Sequence, residues 1–455
     1  MAGEESSPPI ESRADLIEAM ARGGKPPEQW TIGTEHEKHV FRRDPIRPVP
    51  YEGDDGIRAL LAGIEHRTGW HPFYDAGNPI GLRNDEIAGG ISLEPGGQFE
   101  LSGSPQATLH GTRDELAAHL SDCHSIGGPL NIHFLGLGVT PIWSVAEIPA
   151  VPKSRYGIMT PYMDKVGTLG TSMMYRSATV QANLDFSDEA DMVKKLRVSV
   201  ALQPIVTAIF ANSPFVDGKP SGYLSFRSHI WLNTDPDRTG MLPFAFEDGF
   251  GFERYADYAL DVPMYFVIRG GRYINVAGES FRAFLDGRLP QLPGEKPTIK
   301  DWENHLSTLF PEVRLKQFLE MRGADMGDEG AVVALSALWV GLLYDSAALD
   351  AAWELVKDWT AEEREQLRND VPREAIHTRF RNRTVCGVGD DILAIACEGL
   401  ERRARLNGNA RDETRYLGPV ERILDEKKTA AERWLDRYNG EWQGDLTRIF
   451  DEAEM

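Results

Sequence analysis

The sequence has few cysteines, no long apolar run and no excess of basic charge, and each shortage excludes a class of protein. Its three cysteines, Cys123, Cys386 and Cys397, form no CxxC pair and no disulfide framework, which indicates a reducing compartment. The longest apolar run, residues 332–343, is too short to span a bilayer and is typical of a buried helix. A formal charge of −21 argues against binding a phosphate backbone. We therefore expect no nucleic-acid and no membrane partner.

Several common motifs are also missing. The acidic start M-A-G-E-E-S-S contains no apolar stretch, so it predicts no ordinary secretory signal and, with the cysteine usage, a cytoplasmic location. The absence of G-x-x-x-x-G-K-[ST] excludes a P-loop enzyme, and Gly136-Leu137-Gly138 lacks the third glycine of the dinucleotide fingerprint. E-H-E-K-H (35–39) is not HExxH, and on a strand its two histidines point to opposite faces, which disfavours zinc.

The stretch I-S-L-E-P-G-G-Q-F-E-L-S-G-S-P (91–105) predicts a β-hairpin. Turn residues 95–97 separate two extended runs. Strand alternation places Gln98 and Glu100 on one face, and the turn brings Glu94 opposite them. One face of the hairpin therefore carries two carboxylates and an amide, and the other face is apolar. A hairpin like this in isolation would simply be a solvated sheet edge.

The same polar arrangement recurs on three other segments that we interpret as strands. Their polar faces consist of Gly33, Glu35, Glu37 and His39 in 30–41; Thr179, Gln181, Asn183 and Asp185 in 177–186; and Arg314, Lys316, Glu320 and Arg322 in 311–325. The run 225–232 also suits a strand, and 264–276 predicts another hairpin. From about residue 329 to 455 the pattern is helical. With no linker or repeat, residues 1–455 are expected to form a single domain with a helical C-terminal layer.

A sheet face with this many carboxylates is not an ordinary core, because buried and unpaired carboxylates are too costly. They must meet metal ions, bound cations or water. Ligands that are all oxygen favour Mg²⁺, which commonly shares its site with substrate phosphates. Arginines between the carboxylates would neutralise a transferred phosphate and a substrate carboxylate. The pattern therefore indicates ATP-dependent activation of a carboxylic acid.

Five motifs resemble those of the plant-type glutamate–cysteine ligases, in the form found in proteobacteria: T-I-G-T-E-H-E-K-H (31–39), residues 91–105, F-R-S-H-I-W-L-N-T-D-P-D-R-T-G (226–240), W-E-N-H-L-S-T-L-F-P-E-V-R-L-K (302–316) and F-L-E-M-R-G-A-D (318–325). The resemblance implies an α+β fold with a curved antiparallel sheet, helices packed outside it and a core like that of glutamine synthetase. It also implies the reaction. ATP phosphorylates the γ-carboxylate of L-glutamate, and the amine of L-cysteine attacks the acyl phosphate to give γ-glutamylcysteine, the first step toward glutathione.

The resemblance also assigns roles to individual residues. It implies more than one Mg²⁺, with ATP as cosubstrate, and the metal ligands it suggests are Glu35, Glu37, Glu94, Glu100, Gln181 and Glu320. Glu35, Glu37 and Arg322 would contact the nucleotide, and Arg322 would steady its γ-phosphate. Glu320 and Arg322 would act in catalysis. Arg227 and Arg176 would bind substrate, Arg176 also being a catalytic candidate.

Other interpretations remain open from the sequence. A related ligase could use a different amine acceptor, and an inactive relative could serve as a binding protein. Arg314 and Lys316 could be a solvated or ion-paired strand face. The methionine-rich segment 159–174 could be a lid or an adaptable part of the core. The protein is expected to be a monomer or a homodimer.

Overall fold

A computed structural model describes residues 7–455. Strands and α-helices, joined by loops, occur from the start of that range to its end. The strands are β1 (Ile32–Arg43), β2 (Ile46–Pro48), β3 (His71–Asp75), β4 (Asn78–Asn84), β5 (Gly89–Leu93), β6 (Phe99–Ser102), β7 (His133–Leu135), β8 (Thr179–Leu184), β9 (Phe215–Val216), β10 (Lys219–Pro220), β11 (Thr239–Gly240), β12 (Phe266–Arg269), β13 (Arg272–Asn275), β14 (Phe310–Pro311), β15 (Val313–Leu315), β16 (Leu319–Asp325), β17 (Arg379–Phe380) and β18 (Arg383–Thr384). The α-helices are α1 (Arg13–Ala21), α2 (Ile57–Thr68), α3 (Leu109–Gly127), α4 (Ser154–Val166), α5 (Gly170–Arg176), α6 (Glu189–Ile209), α7 (Phe226–Leu232), α8 (Phe252–Asp261), α9 (Phe281–Leu285), α10 (Ile299–Leu306), α11 (Glu329–Leu343), α12 (Ser346–Val356), α13 (Ala361–Glu374), α14 (Val385–Arg403), α15 (Gly418–Glu426), α16 (Ala430–Asn439) and α17 (Ile449–Glu452).

The main sheet has ten strands in the order β15-β16-β8-β1-β6-β5-β4-β3, with β2 and β7 also paired to β1. Every one of these pairings is antiparallel. The path ends at β15 on one side and at β3 on the other, so the sheet is not closed. The predicted α+β fold, built on an antiparallel sheet with helices outside it, is confirmed.

Side-chain alternation gives the sheet two different faces. On β8, Val180, Ala182 and Leu184 point into the main hydrophobic core, which also takes in buried side chains of α6 and α11. The alternate residues face the other way and carry the polar groups of the predicted site. A hydrogen bond of 2.8 Å between the hydroxyls of Thr34 and Ser336 ties β1 to α11 across the packed side. Helices α6 and α11 therefore cover one face, and the polar side chains of the other face are available for chemistry.

Two sequence predictions were wrong in their local structure. Residues 226–232 form helix α7, not a strand, and Ser225 caps it by accepting a hydrogen bond of 3.0 Å from the Ser228 amide. Serine side chains favour this role at helix starts. The segment 311–325 is not one strand but a hairpin, because the chain turns between β15 and β16 and Arg314 comes to lie opposite Glu320.

Beyond residue 329 the described chain contains seven α-helices and only the short β17–β18 hairpin. One core cluster includes Ile10 and Leu16 near the start of the chain together with Val420 and Met455 near its end. Because the same core receives side chains from both ends, we propose that the chain is a single domain with a helical C-terminal layer. Within residues 7–455 no single helix has both the length and the apolar character to cross a membrane, and the bent pair α11–α12 passes that test only as a pair.

The cysteine positions predict that reductant will not change the oligomeric state. Cys386 and Cys397 lie on the same helix, α14, about 16 Å apart along its axis, which is too far for a disulfide. Cys123 is fully buried, and burial raises the pKa of its thiol to about 12, so it is an unreactive thiol. Size-exclusion profiles should be the same with dithiothreitol and after oxidation. A shift that Cys397→Ser removes would contradict this.

Candidate active site

A cavity of about 600 Å³ lies on the polar face of the sheet. Strands β1, β5, β6, β8 and β16 form its floor, and the start of α4, the hairpin β12–β13 and helix α7 form its walls. Seven of the nine residues predicted to bind metal, nucleotide or substrate line it: Glu35, Glu37, Glu94, Glu100, Gln181, Arg227 and Arg322. These residues come from sequence segments nearly 290 positions apart, and the strand order brings them together.

Glu37 and Glu100 are direct cross-strand partners on β1 and β6. Burial and the neighbouring charges of Glu94 and Glu100 raise the pKa of Glu37 well above its usual value. Burial, followed by the charges of Glu320 and Glu100, raises the pKa of Glu35 to about 7. Burial and Glu94 likewise raise the pKa of Glu100. The cavity floor is therefore a cluster of carboxylates that repel one another, short of the positive charge that would let all of them ionise.

Hydrogen bonds fix the orientation of these carboxylates. The Thr179 amide donates to Glu37 at 2.9 Å, and the Asn183 side chain donates to Glu35 at 2.7 Å. The hydroxyl of Ser92 donates to one oxygen of Glu100 at 2.6 Å. The side-chain oxygen of Asn183 is buried without a hydrogen-bond partner. These donors are neutral, so they orient the carboxylates without cancelling their charge.

The turn of the β5–β6 hairpin holds Glu94 at the cavity floor. A Cβ atom on Gly96 would lie only 2.1 Å from the Tyr175 carbonyl oxygen, and Gly97 has a φ of 80°, so both positions favour glycine. The Gln98 side chain donates to the carbonyls of Met174 and Ser177, at 3.1 and 2.8 Å. Gln98 thus anchors the hairpin to helix α5, although the sequence suggested a more direct role in the polar face.

Glu320 does not line the cavity, in contrast to its predicted place on the metal face. It is completely buried, and Arg314 donates to both of its oxygens at 2.7 and 2.9 Å. Lys316 lies 3.1 Å away, and Arg322 also donates to it. Burial alone would raise the pKa of Glu320, but the three cations outweigh it and hold that pKa well below its usual value. Because cations already surround this carboxylate, the structure gives no support to Glu320 as a metal ligand.

Gln181 lines the cavity, but its side-chain oxygen already has a partner. It accepts a hydrogen bond of 2.6 Å from Arg322. The guanidinium of Arg322 is thus held between Gln181 and Glu320, on the two neighbouring strands β8 and β16. In this arrangement Gln181 orients Arg322.

Arg176 lies outside the cavity lining, and its position gives no support to the prediction that it binds substrate. It sits at the end of α5, is buried, and donates to Asp217 at 3.0 Å. Its backbone oxygen accepts a bond from Thr140. One nitrogen of this arginine is therefore in an ion pair, while its Nε is buried with no partner. The sequence alone could not show which of Arg176 and Arg227 reaches the cavity. Each is an arginine in a motif that mixes polar and apolar residues.

Arg227 reaches the cavity from helix α7 and also lines a small recess beside it, together with Trp231 and Arg322. Arg227 is 2% exposed; one of its nitrogens donates to the Arg322 carbonyl at 3.0 Å, and its Nε has no partner. The indole nitrogen of Trp231 is also buried and unpartnered. The recess thus presents N–H donors that have no acceptor, as a site for a small anion does. Trp231 is not among the residues predicted from sequence, although its i, i+4 spacing from Arg227 places both side chains on one face once 226–232 is known to be helical.

Lys153 and Arg155 also line the cavity, at the start of α4. Lys153 is buried and donates to the Leu93 carbonyl at 3.0 Å, while Arg155 lies 3.5 Å from Glu94. Nothing local in the sequence marks these two residues, because no strand periodicity covers them. Arg314 and Lys316 form the ion-paired strand face that was one of the two readings of the sequence.

The segment 159–174 forms most of α4 and the start of α5. Met159 and Met174 line the cavity and also pack in a small apolar cluster with Tyr156 and Tyr265. This packing agrees with an adaptable part of the core. The alternative, a lid over the cavity, stays a prediction.

Among residues 7–455, no group of three or more histidine, cysteine, aspartate or glutamate side chains is already arranged to hold a metal ion. The donor set at the cavity floor nevertheless fits a hard cation. It consists of the oxygens of Glu35, Glu37, Glu94 and Glu100, whose crowding a divalent cation would relieve.

Residues 31–452 match the profile of a family described as glutamate–cysteine ligase family 2 (GCS2). The chain belongs to this family. Glutamate–cysteine ligase B of rice, a chloroplastic protein of Oryza sativa subsp. japonica, is 51% identical over 98% of this chain and 90% of its own length. The chloroplastic glutamate–cysteine ligase of Arabidopsis thaliana is 51% identical over 98% of this chain and 85% of its own length. The predicted resemblance to plant-type glutamate–cysteine ligases is confirmed, and the proteobacterial form stays a prediction.

A crystal structure of a Francisella tularensis glutamate–cysteine ligase in complex with AMP has a similar fold, with a TM-score of 0.56 over 93% of this chain and 87% of that one. At 12% identity this match supports the fold alone. The family and the relatives show the enzyme class: the chain is a ligase that forms γ-glutamylcysteine, the first step toward glutathione. Neither a different amine acceptor nor an inactive binding protein is favoured any longer. The predicted cytoplasmic location is wrong by these comparisons, because the relatives are chloroplastic proteins.

The raised pKa of Glu35 predicts how the stability of the metal-free protein depends on pH. The folded state keeps this proton up to about pH 7, while the unfolded chain loses it near 4.5, so rising pH between these values favours unfolding. In EDTA, Glu35→Gln should therefore gain stability relative to the natural chain as pH rises from 5 to 8, by at most about 3 kcal/mol. Denaturant titrations at each pH measure the difference. Parallel stability curves would contradict the prediction.

Proposed function

We propose that the cavity is the site where ATP phosphorylates the γ-carboxylate of L-glutamate and where L-cysteine then displaces the phosphate. The observation that carries the proposal is the crowding of Glu37 against Glu100 on neighbouring strands, with Glu35 and Glu94 close by. Like charges placed opposite each other in a sheet are destabilising, so this arrangement favours a function that supplies positive charge. Mg²⁺ and the cations of the cavity supply it.

Glu35, Glu37, Glu94 and Glu100 would hold Mg²⁺, in more than one position. When bound, Mg²⁺ screens the phosphate oxygens of ATP and favours attack on the γ-phosphorus. The protein keeps three of these carboxylates in fixed orientations: Thr179 donates to Glu37, Asn183 to Glu35, and Ser92 and Ser102 to Glu100. Fixed orientation matters because Mg²⁺ demands nearly ideal octahedral geometry.

The recess beside α7 fits a carboxylate of glutamate. Arg227 and Trp231 together offer N–H donors without acceptors, and Arg322 lies on the same wall. A carboxylate placed there would accept these hydrogen bonds and neutralise a buried guanidinium. The remaining carboxylate of glutamate would then extend toward the carboxylate floor, where the phosphate is transferred.

Arg322 is the group best placed to neutralise charge on the transferred phosphate. Gln181 and Glu320 hold its guanidinium from two strands, so its orientation is set before substrate arrives. Glu320 therefore contributes as a positioning residue. In a phosphoryl transfer, such fixed positive groups stabilise the charge that develops in the transition state. The substrates are L-glutamate, L-cysteine and ATP, and we propose that a monomer or homodimer carries out the reaction.

Replacing Glu100 tests the carboxylate floor. Glu100→Gln keeps the shape and can still accept a hydrogen bond from Ser92 or Ser102 through its one amide oxygen, but it removes the charge. We expect phosphate release that depends on glutamate and cysteine to fall about 100-fold or more, together with weaker Mg²⁺ binding by calorimetry. Glu86→Gln, in an exposed turn, is the matched control. Near-normal turnover at saturating Mg²⁺ would reject the proposed role, and equal turnover of aspartate in place of glutamate would reject the proposed substrate.

The two buried arginines provide a second test. Arg227→Lys loses the planar donor geometry in the recess, so the KM for glutamate should rise about tenfold or more while the KM for ATP changes little. Arg176→Lys alters a buried arginine outside the cavity and should leave both KM values unchanged. Steady-state kinetics with one substrate varied at a time measure the split. An equal rise for ATP and glutamate in Arg227→Lys would argue against a carboxylate subsite at the recess.

A further inference from the structure

We propose that Thr207, on the core side of the main sheet, is a positioning residue for Arg322 and acts through a β-bulge in β16. Thr207 belongs to α6, which packs behind the sheet, and it is buried there. The inference rests on the proposed role of Arg322 and goes beyond it, because it names a residue that acts on this role from the side of the sheet away from the cavity.

The bulge consists of Arg322 and Gly323. The pairing of β16 with β8 shifts after Met321, so that Arg322 and Gly323 both stand opposite the single residue Gln181. An extra residue of this kind bends a strand and changes the direction in which a side chain points. Here the guanidinium of Arg322 reaches the side-chain oxygen of Gln181 at 2.6 Å. The backbone conformation of the bulge therefore determines where Arg322 points.

The bulge also shifts the alternation of side chains along β16. Met321 and Ala324 are three positions apart, yet both pack in the main core. Asp325 consequently faces the cavity side, opposite Thr179, which lines the cavity. There it accepts a hydrogen bond of 2.8 Å from the hydroxyl of Ser225, the residue that caps α7. A strand without the bulge would turn this carboxylate toward the apolar core, where burying it would be costly.

Contacts from both faces of the sheet hold the backbone of the bulge. On the cavity side, Arg227 donates to the Arg322 carbonyl at 3.0 Å. On the core side, the hydroxyl of Thr207 donates to the Gly323 carbonyl, also at 3.0 Å. A threonine within a helix can bond to a carbonyl of its own helix four residues earlier, whereas this hydroxyl reaches across to the strand. Thr207 is thus the support of the bulge from the core.

The contact between α6 and the bulge is close enough to require glycine at position 323. A Cβ atom there would lie 2.5 Å from the amide nitrogen of Gln203 and 2.6 Å from the hydroxyl oxygen of Thr207. Gln203 and Thr207 are one turn apart on α6, so they form one surface behind the bulge. The bulge therefore cannot move toward the core, and the hydrogen bond from Thr207 keeps it from moving away.

A displaced bulge would move the guanidinium that we assign to the transferred phosphate. Misplacing a group by about 1 Å can cost about 100-fold in rate, because transition-state stabilisation depends on exact geometry. The hydrogen bond from Thr207 is made to the backbone and not to a substrate. Its loss should therefore lower kcat by a larger factor than it weakens substrate binding.

Steady-state kinetics of Thr207→Val test this role. Valine keeps the size of the side chain and removes its donor, so kcat for γ-glutamylcysteine formation should fall about tenfold, by more than any rise in the KM for ATP or glutamate. Thr207→Ser keeps the hydroxyl and should recover most of kcat. Ser336→Ala removes the buried hydroxyl that joins α11 to β1 and is the matched control, which should lower stability without lowering kcat.

A double variant separates positioning from a general loss of stability. If Thr207 acts through Arg322, adding Thr207→Val to Arg322→Lys should slow the enzyme little further, because residues that act as a unit have non-additive effects. Unchanged kcat in Thr207→Val would overturn the proposal. Fully additive losses in the double variant would also overturn it.

Crystal structures of the natural chain and of Thr207→Val give a readout that does not depend on activity. The hydrogen bond between Arg322 and Gln181 should be lengthened or lost in the variant. An unmoved Arg322 would overturn the positioning role whatever the kinetics show. A displaced Arg322, in a protein whose natural chain forms no γ-glutamylcysteine, would instead reject the proposed function and leave the positioning by Thr207 standing.

Discussion

The repulsion between carboxylates on one face of the sheet is the constraint on which the rest of this structure depends. Directly opposed residues in an antiparallel pair have Cβ atoms only about 5 Å apart, and Glu37 and Glu100 are such a pair. Burial raises the pKa values of both, and the charge of Glu94 raises them further, so each keeps a proton more readily than a solvated carboxylate does. A fold that keeps these groups together must therefore be stabilised elsewhere.

The opposite face of the sheet supplies that stabilisation. Val180, Ala182 and Leu184 are completely buried there, among the side chains of α6 and α11. Each side chain of this kind contributes about 1.5–3 kcal/mol when fully buried. Because alternate residues on the same strands make the core and the cavity floor, the packing that stabilises the sheet also fixes the position of each carboxylate. The same few strands therefore hold both the carboxylates that repel one another and the buried apolar side chains that stabilise the fold.

Local sequence pattern was sufficient to predict β1, β8 and the β5–β6 hairpin of the floor, but not the β15–β16 hairpin or the walls. Alternation identified β1 and β8 and the polar faces that they present, because a period of two depends only on neighbouring residues. The surroundings of Arg176 and Glu320 could not be predicted in this way because they depend on distant partners, Asp217 in one case and Arg314 across a hairpin turn in the other. Lys153 and Arg155 reach the cavity from the start of a helix, where no periodicity marks a side chain as facing a site. The resemblance to a family supplied the reaction, which no strand pattern specifies.

The contrast between Glu35 and Glu320 shows how one sheet holds two kinds of carboxylate. Both are buried, yet their pKa values move in opposite directions, because three cations surround Glu320 whereas the neighbours of Glu35 are mainly other carboxylates. Glu320 stays ionised, and its structural role is to hold Arg322 in position. Glu35 lacks its own counter-charge and can accept one from outside. Separating such environments is how proteins assign different roles to identical side chains, and here the separation arises from the hairpin turn that brings Arg314 opposite Glu320.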